Sequence, residues 1–203
     1  MRLVFDLDGT LIDSRPGIIE AFEQVSKRVF NQRHTLSQED IGPPVRKMFL
    51  RAFPDADEKS IEIANKYFRE TYDGKSWQNF EPYEAVIETL NIFSQEGVML
   101  YLATNKPELP TLNILRKMGI SDLFIRVSCQ DQEGCATKET MLRRMLETPG
   151  KKDYMIGDGM SDCIGARAFG CKFIFCSYGY GRVDQSDHVI GKFKEIHFSR
   201  SVI

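Results

Sequence analysis

Two aspartates near the start of the chain are the first residues whose spacing suggests chemistry. Asp6 and Asp8 directly follow the apolar residues 3–5 and precede Gly9. A short apolar run that ends at a glycine turn is typical of a buried strand, and side chains two apart on a strand point the same way. We therefore expect both carboxylates on one face of the strand end. Because such a pair is repulsive, it predicts a bound cation or a reaction that uses the acids.

Three further polar clusters follow apolar segments along the chain. Thr104 and Asn105 come after a second predicted strand, Lys138 lies near the start of a predicted helix, and Asp158 and Asp162 come after a later strand. In parallel sheets, ligands bind at the carboxyl ends of the strands. If these ends converge, one pocket holds four carboxylates, a hydroxyl and a lysine.

The charge of such a pocket predicts the ligands it needs. Two unit charges about 4 Å apart interact by roughly 4 kcal/mol at an effective dielectric constant of 20, so four aspartates would repel a phosphate strongly. A Mg²⁺ ion suits one or two carboxylates together with substrate phosphate and water. Lys138 adds a second positive charge. Since phosphoryl transfer depends mainly on positioning and charge stabilisation, the pocket predicts Mg²⁺-dependent phosphoryl transfer.

The elements that position these residues can be read from apolar periodicity. Apolar runs predict further strands at residues 98–103, 125–129, 154–156 and 172–176. Helical spacing between them predicts an α/β fold, a Rossmann-like parallel sheet with helices on both faces. Residues 15–80 contain no convincing strand and predict a helical insert. We therefore expect a core formed by residues 1–14 and 81–203.

Composition limits the class of protein. The 203 residues are 42% hydrophobic and 28% charged, with a formal net charge of −2 and no basic block, so we expect binding to neither nucleic acid nor membrane. Because the first predicted strand begins close to the start of the sequence, we expect no signal peptide. Five cysteines without a Cys-x-x-Cys pair predict reduced thiols in a cytoplasmic protein. These are Cys129, Cys135, Cys163, Cys171 and Cys176.

Taken in order, the polar clusters resemble the four signature motifs of the haloacid dehalogenase superfamily of phosphohydrolases. The matching residues are Asp6-Leu7-Asp8-Gly9-Thr10, Thr104-Asn105, Lys138, and Gly157-Asp158 with Asp162. Residues 14–16, 41–44 and 178–181 are similar to the phosphoglycolate-phosphatase-like branch, whose members have a small helical cap. The resemblance covers nearly the whole chain. It implies that residues 15–80 form an all-helical cap domain inserted after the first strand.

The resemblance also implies catalytic and metal-binding roles for the four aspartates. Asp6 would be the nucleophile that becomes an aspartyl phosphate, and Asp8 would protonate the leaving oxygen and later deprotonate water. Asp6, the main-chain carbonyl of Asp8 and Asp158 would hold Mg²⁺. Asp162 would lie beside the metal, either as a direct ligand or through water.

The remaining motif residues are assigned to the phosphate group by the same resemblance. Thr104, the Asn105 amide, Gly9 and Thr10 would bind phosphoryl oxygens, and Lys138 would balance charge and orient Asp6. Family members often have proline directly after the third-motif lysine, whereas Glu139 stands here, and Lys106 is the rival for that role. Gly159 replaces a serine or threonine common in this branch.

The leading hypothesis is a Mg²⁺-dependent phosphatase acting on a small phosphorylated metabolite. Because the insert follows the first motif directly, it could close over the phosphate and select the leaving group. A phosphomutase, which returns the phosphoryl group to a sugar, and a phospho-acceptor or binding module without turnover remain as alternatives. Phosphoglycolate, sugar phosphates, nucleoside monophosphates and pyrophosphate all remain open as substrates, and so does the oligomeric state.

Overall fold

The computed structural model describes residues 1–37, 40–41, 44–132, 134–135 and 137–196. Gly42 and Pro43, from one of the stretches that resemble the phosphatase branch, lie outside these ranges. Within them the elements are, in chain order, β1 (Arg2–Phe5), β2 (Ile12–Asp13), α1 (Arg15–Phe30), α2 (Val45–Ala52), α3 (Glu58–Gly74), β3 (Glu81–Pro82), α4 (Val86–Gln95), β4 (Met99–Thr104), α5 (Glu108–Met118), β5 (Phe124–Cys129), α6 (Lys138–Leu146), β6 (Asp153–Gly157), α7 (Met160–Phe169), β7 (Lys172–Cys176) and β8 (His188–Ile190).

Six of these strands form one parallel sheet in the order β5-β4-β1-β6-β7-β8. β1 is central, and Phe5 pairs with Leu102 of β4 on one side and with Ile156 of β6 on the other. Leu3, Val4 and Phe5 are fully buried, as expected for a strand covered on both faces. The sheet confirms the α/β prediction and places the carboxyl ends of β4, β1 and β6 side by side.

The sixth strand, β8, was not predicted from the sequence. It is only three residues long, and His188 and Val189 are exposed. A short edge strand with one buried residue has no apolar run by which it could be recognised. Its neighbour β7 was predicted at the observed residues because Phe173, Ile174 and Phe175 form such a run.

The chain divides into two compact units. The core unit consists of Met1–Asp13 and the described residues from Pro82 onward, and it contains the six-stranded sheet. The insert unit, Ser14–Glu81, contains α1, α2 and α3. Its interior is aromatic: the rings of Phe22 and Phe49 stack with centroids 4.3 Å apart, and those of Phe30 and Phe53 stack at 4.0 Å.

Cysteine and tryptophan are distributed unequally between the two units. All five cysteines lie in the core unit as free thiols, four of them buried and Cys171 half-buried. The single tryptophan, Trp77, is half-buried in the insert unit. Among the described residues, no helix is both long enough and apolar enough to cross a bilayer.

Candidate active site

The site forms where three central strands end. Asp6 follows β1, Thr104 is the last residue of β4, and Asp158 follows β6. The Asp6 amide donates to the Ile156 carbonyl at 2.9 Å, which extends the pairing of β1 with β6 by one residue. Parallel neighbours ending at the same edge therefore bring the first, second and fourth motifs together, as the sequence predicts.

Lys138 extends from the start of α6 into this group of residues. Its side chain is fully buried, and Nζ lies 2.6 Å from Asp6 Oδ1 and 2.8 Å from Asp162 Oδ1. Nζ also donates to the Ala103 carbonyl at 2.6 Å. Thr137 caps the helix by accepting from its third amide, which fixes the residue before the lysine. The lysine beside Asp6 is thus Lys138 rather than Lys106.

Gly165 on α7 permits the close approach of α6 that brings Lys138 into place. A Cβ atom at position 165 would lie 2.4 Å from the Lys138 Cβ and 3.1 Å from the Glu139 amide nitrogen. Real Cβ atoms do not approach other atoms this closely, so a larger residue would force the helices apart. The position of Lys138 therefore depends on a glycine 27 residues later in the chain.

Asp158 is held by the loop of residues 178–181 that follows β7. Its Oδ2 accepts from the amides of Tyr180 at 2.6 Å and Gly181 at 3.2 Å. A Cβ on Gly179 would lie 2.3 Å from the Asp158 Cβ and 2.4 Å from the Gly9 carbonyl oxygen. Sequence reasoning missed this role of the loop, although its alternating tyrosines and glycines are a signal that points to it.

Three carboxylates of the site form a group that could hold a metal ion. One oxygen from each of Asp6, Asp158 and Asp162 lies within 4.8 Å of the others. Burial raises the pKa of Asp6 to about 8, an increase that Lys138 reduces and that the two other carboxylates enlarge. Burial and the charge of Asp162 raise the pKa of Asp158 to about 6. Carboxylates that resist ionisation and offer only oxygen ligands fit a hard divalent cation.

Asp8 lies outside that group and has a different neighbour. Its Oδ2 is 3.1 Å from Lys106 Nζ, and the side chains of Asp8 and Lys106 are 24% and 6% exposed. Its Oδ1 is buried and has no hydrogen-bond partner within the described part of the chain. The Lys106 amide donates to the Thr104 hydroxyl oxygen at 3.1 Å. The assignment of Asp8 as a metal ligand through its carbonyl stays a prediction.

The other residues assigned to the phosphate group are placed less directly. The amides of Gly9 and Thr10 donate to the carbonyls of Ile12 at 2.9 Å and Leu7 at 3.3 Å, so both are already engaged in the turn after β1. Gly9 instead packs against Asp158, where a Cβ would lie 2.1 Å from Oδ2. Asn105 is exposed at the site edge. Phosphate binding by these three residues stays a prediction.

Comparison with known proteins gives consistent matches over almost the whole chain. A family model described as haloacid dehalogenase-like hydrolase matches residues 3–176. A 5'-nucleotidase from Pseudomonas aeruginosa is 30% identical over 91% of this chain and 86% of its own length. A phosphoglycolate phosphatase from Agrobacterium fabrum is 29% identical over 87% and 80%. The solved structure of a haloacid dehalogenase-like protein from Streptococcus pneumoniae has the same fold, with a TM-score of 0.86 and 24% identity over 96% of this chain and 95% of that one.

Proposed function

Because the chain belongs to the haloacid dehalogenase-like hydrolase family, as a phosphatase of that family, we propose that it uses Mg²⁺ to hydrolyse a small phosphorylated metabolite through a phosphorylated Asp6. The observation that carries this proposal is the meeting of three carboxylates and one buried lysine at the ends of the central strands. The names of the two relatives support a phosphate monoester of low molecular mass. A cytoplasmic location belongs to the same proposal, and the five free thiols support it.

In the first step, an oxygen of Asp6 attacks phosphorus and the bond from phosphorus to the leaving oxygen breaks. Asp8 donates a proton to that oxygen, so the leaving group departs as a neutral alcohol. In the second step, Asp8 removes a proton from water, which attacks phosphorus and releases the Asp6 carboxylate and inorganic phosphate. The unpartnered Oδ1 of Asp8 supports its role as the proton carrier.

The hydrogen-bond and ion-pair partners of each carboxylate oxygen support different roles for the aspartates around the cation. Asp162 pairs with Lys138 through Oδ1 and accepts from the Gly159 amide at 3.1 Å through Oδ2. We therefore expect it to act on the metal through water. Asp158 uses only Oδ2 for hydrogen bonds within the described residues, which leaves Oδ1 for the metal. With Asp6 and the Asp8 carbonyl, it would complete the protein ligands. Bound Mg²⁺ would neutralise charge on the carboxylates and the phosphoryl oxygens.

Thr104 and Lys138 complete the cradle for the phosphoryl group. Thr104 Oγ1 accepts from the Lys106 amide, so its own proton remains to donate to a phosphoryl oxygen. Lys138 restrains Asp6 through Oδ1 and offsets the charge of the two carboxylates beside it. The arrangement supports attack from a fixed direction, which is the main requirement of phosphoryl transfer.

A phosphate-release assay tests the proposal. The full chain is incubated with p-nitrophenyl phosphate and a panel of phosphorylated metabolites, with Mg²⁺ or with EDTA. We expect Mg²⁺-dependent release of phosphate, and we expect Asp6→Asn to lower turnover by at least about 10³-fold while the fold is retained. Asp122→Asn, at an exposed position, is the matched control.

Three outcomes would contradict the proposal. Turnover retained by Asp6→Asn would remove Asp6 as the nucleophile. Formation of an isomeric phosphate ester without release of phosphate would indicate a phosphomutase. A long-lived phosphoprotein without turnover would indicate a phospho-acceptor module.

A further inference from the structure

Two lysines among the described residues contact carboxylates of the site: Lys138 contacts Asp6 and Asp162, and Lys106 contacts Asp8. Lys138 Nζ lies 2.6 Å from Asp6, and Lys106 Nζ lies 3.1 Å from Asp8 Oδ2. We propose that Lys106 is a positioning residue that holds the Asp8 carboxylate in the orientation from which it exchanges protons with the leaving group and with water. The inference rests on the proposed phosphatase function and adds a residue to it.

Burial of Lys106 is the first observation that supports this role. Its side chain is only 6% exposed, so the ammonium group has lost most of its hydration. A buried ammonium is stable only beside an acceptor or an opposite charge. The Oδ2 atom of Asp8 supplies that charge. A lysine in this environment has little freedom to turn toward solvent, and it therefore fixes the carboxylate that it contacts.

The main chain around Lys106 is held by hydrogen bonds on both sides, which restricts the positions that its side chain can reach. Its amide donates to Thr104 Oγ1 at 3.1 Å. Two residues later, the Glu108 amide at the start of α5 donates to Asp131 Oδ1 at 2.8 Å, and Gln132 Nε2 donates to Glu108 Oε1 at 2.7 Å. The turn from β4 into α5 is thus held at both ends.

The two oxygens of Asp8 have different surroundings, and this difference indicates a separate role for each. Oδ2 is beside Lys106, whereas Oδ1 is buried without a hydrogen-bond partner in the described ranges. An unpartnered buried oxygen is costly unless a ligand or water satisfies it during function. A carboxylate held at one oxygen presents the other in one direction, as general acid–base catalysis requires.

A double-mutant cycle tests whether Lys106 acts through Asp8. The variants are Lys106→Met, Asp8→Asn and the combination of both, measured in the full chain with saturating Mg²⁺. Release of phenol from phenyl phosphate is followed in single turnovers at high enzyme concentration, so that slow variants remain measurable. Lys194→Met is the control, because Lys194 Nζ lies 3.2 Å from Glu84 in an exposed pair.

We expect Lys106→Met to slow phenol release by about 10- to 100-fold with little change in the enzyme concentration that gives the half-maximal rate, because general acid catalysis contributes about 10²- to 10⁴-fold. With 2,4-dinitrophenyl phosphate, whose leaving group needs no proton, the loss should be smaller. In the Asp8→Asn background, adding Lys106→Met should change the rate by less than about 3-fold, since residues that act as a unit are not additive. The control should match wild type.

An equal loss in both backgrounds would overturn the inference, because Lys106 would then act independently of Asp8. An unchanged rate in Lys106→Met, or a change only in the enzyme concentration for the half-maximal rate, would overturn it as well. If Lys106→Met is unfolded at the assay temperature, Lys106→Arg and Lys106→Gln replace it. The arginine variant should retain more of the rate than the glutamine variant, and equal rates would refute the role. Absence of turnover in wild type, or activity in Asp6→Asn, would instead contradict the proposed function.

Discussion

At the scale of single residues, the neighbours of the four aspartates distinguish carboxylates that are chemically identical. Asp6 and Asp162 share Lys138, whereas Asp8 faces Lys106. Asp158 has no lysine within salt-bridge distance among the described residues and is held by main-chain amides instead. Amides fix one oxygen without cancelling a full charge, so the other oxygen keeps its affinity for a cation.

The residue-scale prediction concerns Gly179, which allows the amide loop to reach Asp158. In Gly179→Ala, the new Cβ would meet the Asp158 side chain and the Gly9 carbonyl within 2.5 Å, so the loop must withdraw. We expect the Mg²⁺ concentration for half-maximal activity to rise by about 10- to 100-fold, the usual effect of losing a residue that orients a metal ligand. Titration of phosphatase activity with Mg²⁺ measures this.

Gly191→Ala is the control for that experiment, because a Cβ there would lie 3.7 Å from its nearest neighbour, Glu195. An unchanged Mg²⁺ requirement in Gly179→Ala, with the same thermal stability as wild type, would show that the loop does not support the metal site.

At the scale of elements, the crossing of α6 and α7 determines where Lys138 can reach. The two helices contact each other at Gly165, and from there the Lys138 side chain reaches Asp6 and the Ala103 carbonyl of β4. α6 also carries Met141, Leu142 and Met145 into the core beside the sheet. A shift of this helix therefore changes both the packing of the core and the position of Lys138.

The element-scale prediction is that Gly165→Ala separates the helices and displaces Lys138. We expect kcat to fall by about 10- to 100-fold, because a misplacement of about 1 Å can cost that much. The free energy of unfolding should fall by about 1–3 kcal/mol from overpacking. Gly74→Ala, at the last residue of α3, is the control: apart from its chain neighbours and the nearby helix backbone, no described atom lies within 4 Å of a Cβ built there. Steady-state kinetics and urea unfolding provide the measurements, and full activity in Gly165→Ala would contradict the prediction.

The elements also show how much of the fold and of the site could be predicted from the sequence. Strands such as β1 and β7 were predictable because continuous apolar runs fill a sheet buried on both faces. Adjacent parallel strands then bring Asp6, Thr104 and Asp158 to one edge. The resemblance assigned Lys138 to this role with Lys106 as its rival, and residue patterns alone could not decide between them, because the choice depends on how closely two helices approach. The role of the amide loop at 178–181 was missed because its alternating tyrosines and glycines indicate a structured loop but not that its main-chain amides contact Asp158.

At the scale of the whole molecule, we expect the carboxylate cluster to oppose folding of the core unit in the absence of a cation. Asp6, Asp158 and Asp162 are brought together with one lysine, and burial raises the pKa of Asp6 and of Asp158 because their charged forms are disfavoured there. An ion that binds the folded cluster and not the unfolded chain stabilises the protein by mass action. The stability of the core unit should therefore depend on Mg²⁺.

The whole-molecule prediction is a rise in the unfolding temperature with Mg²⁺. At 100 times the dissociation constant, the stabilisation should be about 2.7 kcal/mol. Asp158→Asn should remove most of the Mg²⁺-dependent shift, whereas the exposed Asp122→Asn should retain it. Scanning calorimetry with Mg²⁺ or EDTA measures the shift, and an equal response in both variants would show that the ion binds elsewhere.

The separation of cysteine from tryptophan gives each unit its own intrinsic reporter. Indole fluorescence arises from Trp77 alone and follows the insert unit, while a chromogenic thiol reagent can react only with the core unit. Burial raises the pKa of Cys129, Cys171 and Cys176, so these thiols react slowly until the core opens. Recording both signals during one denaturation, without an introduced cysteine or tryptophan, distinguishes concerted unfolding from the loss of one unit before the other.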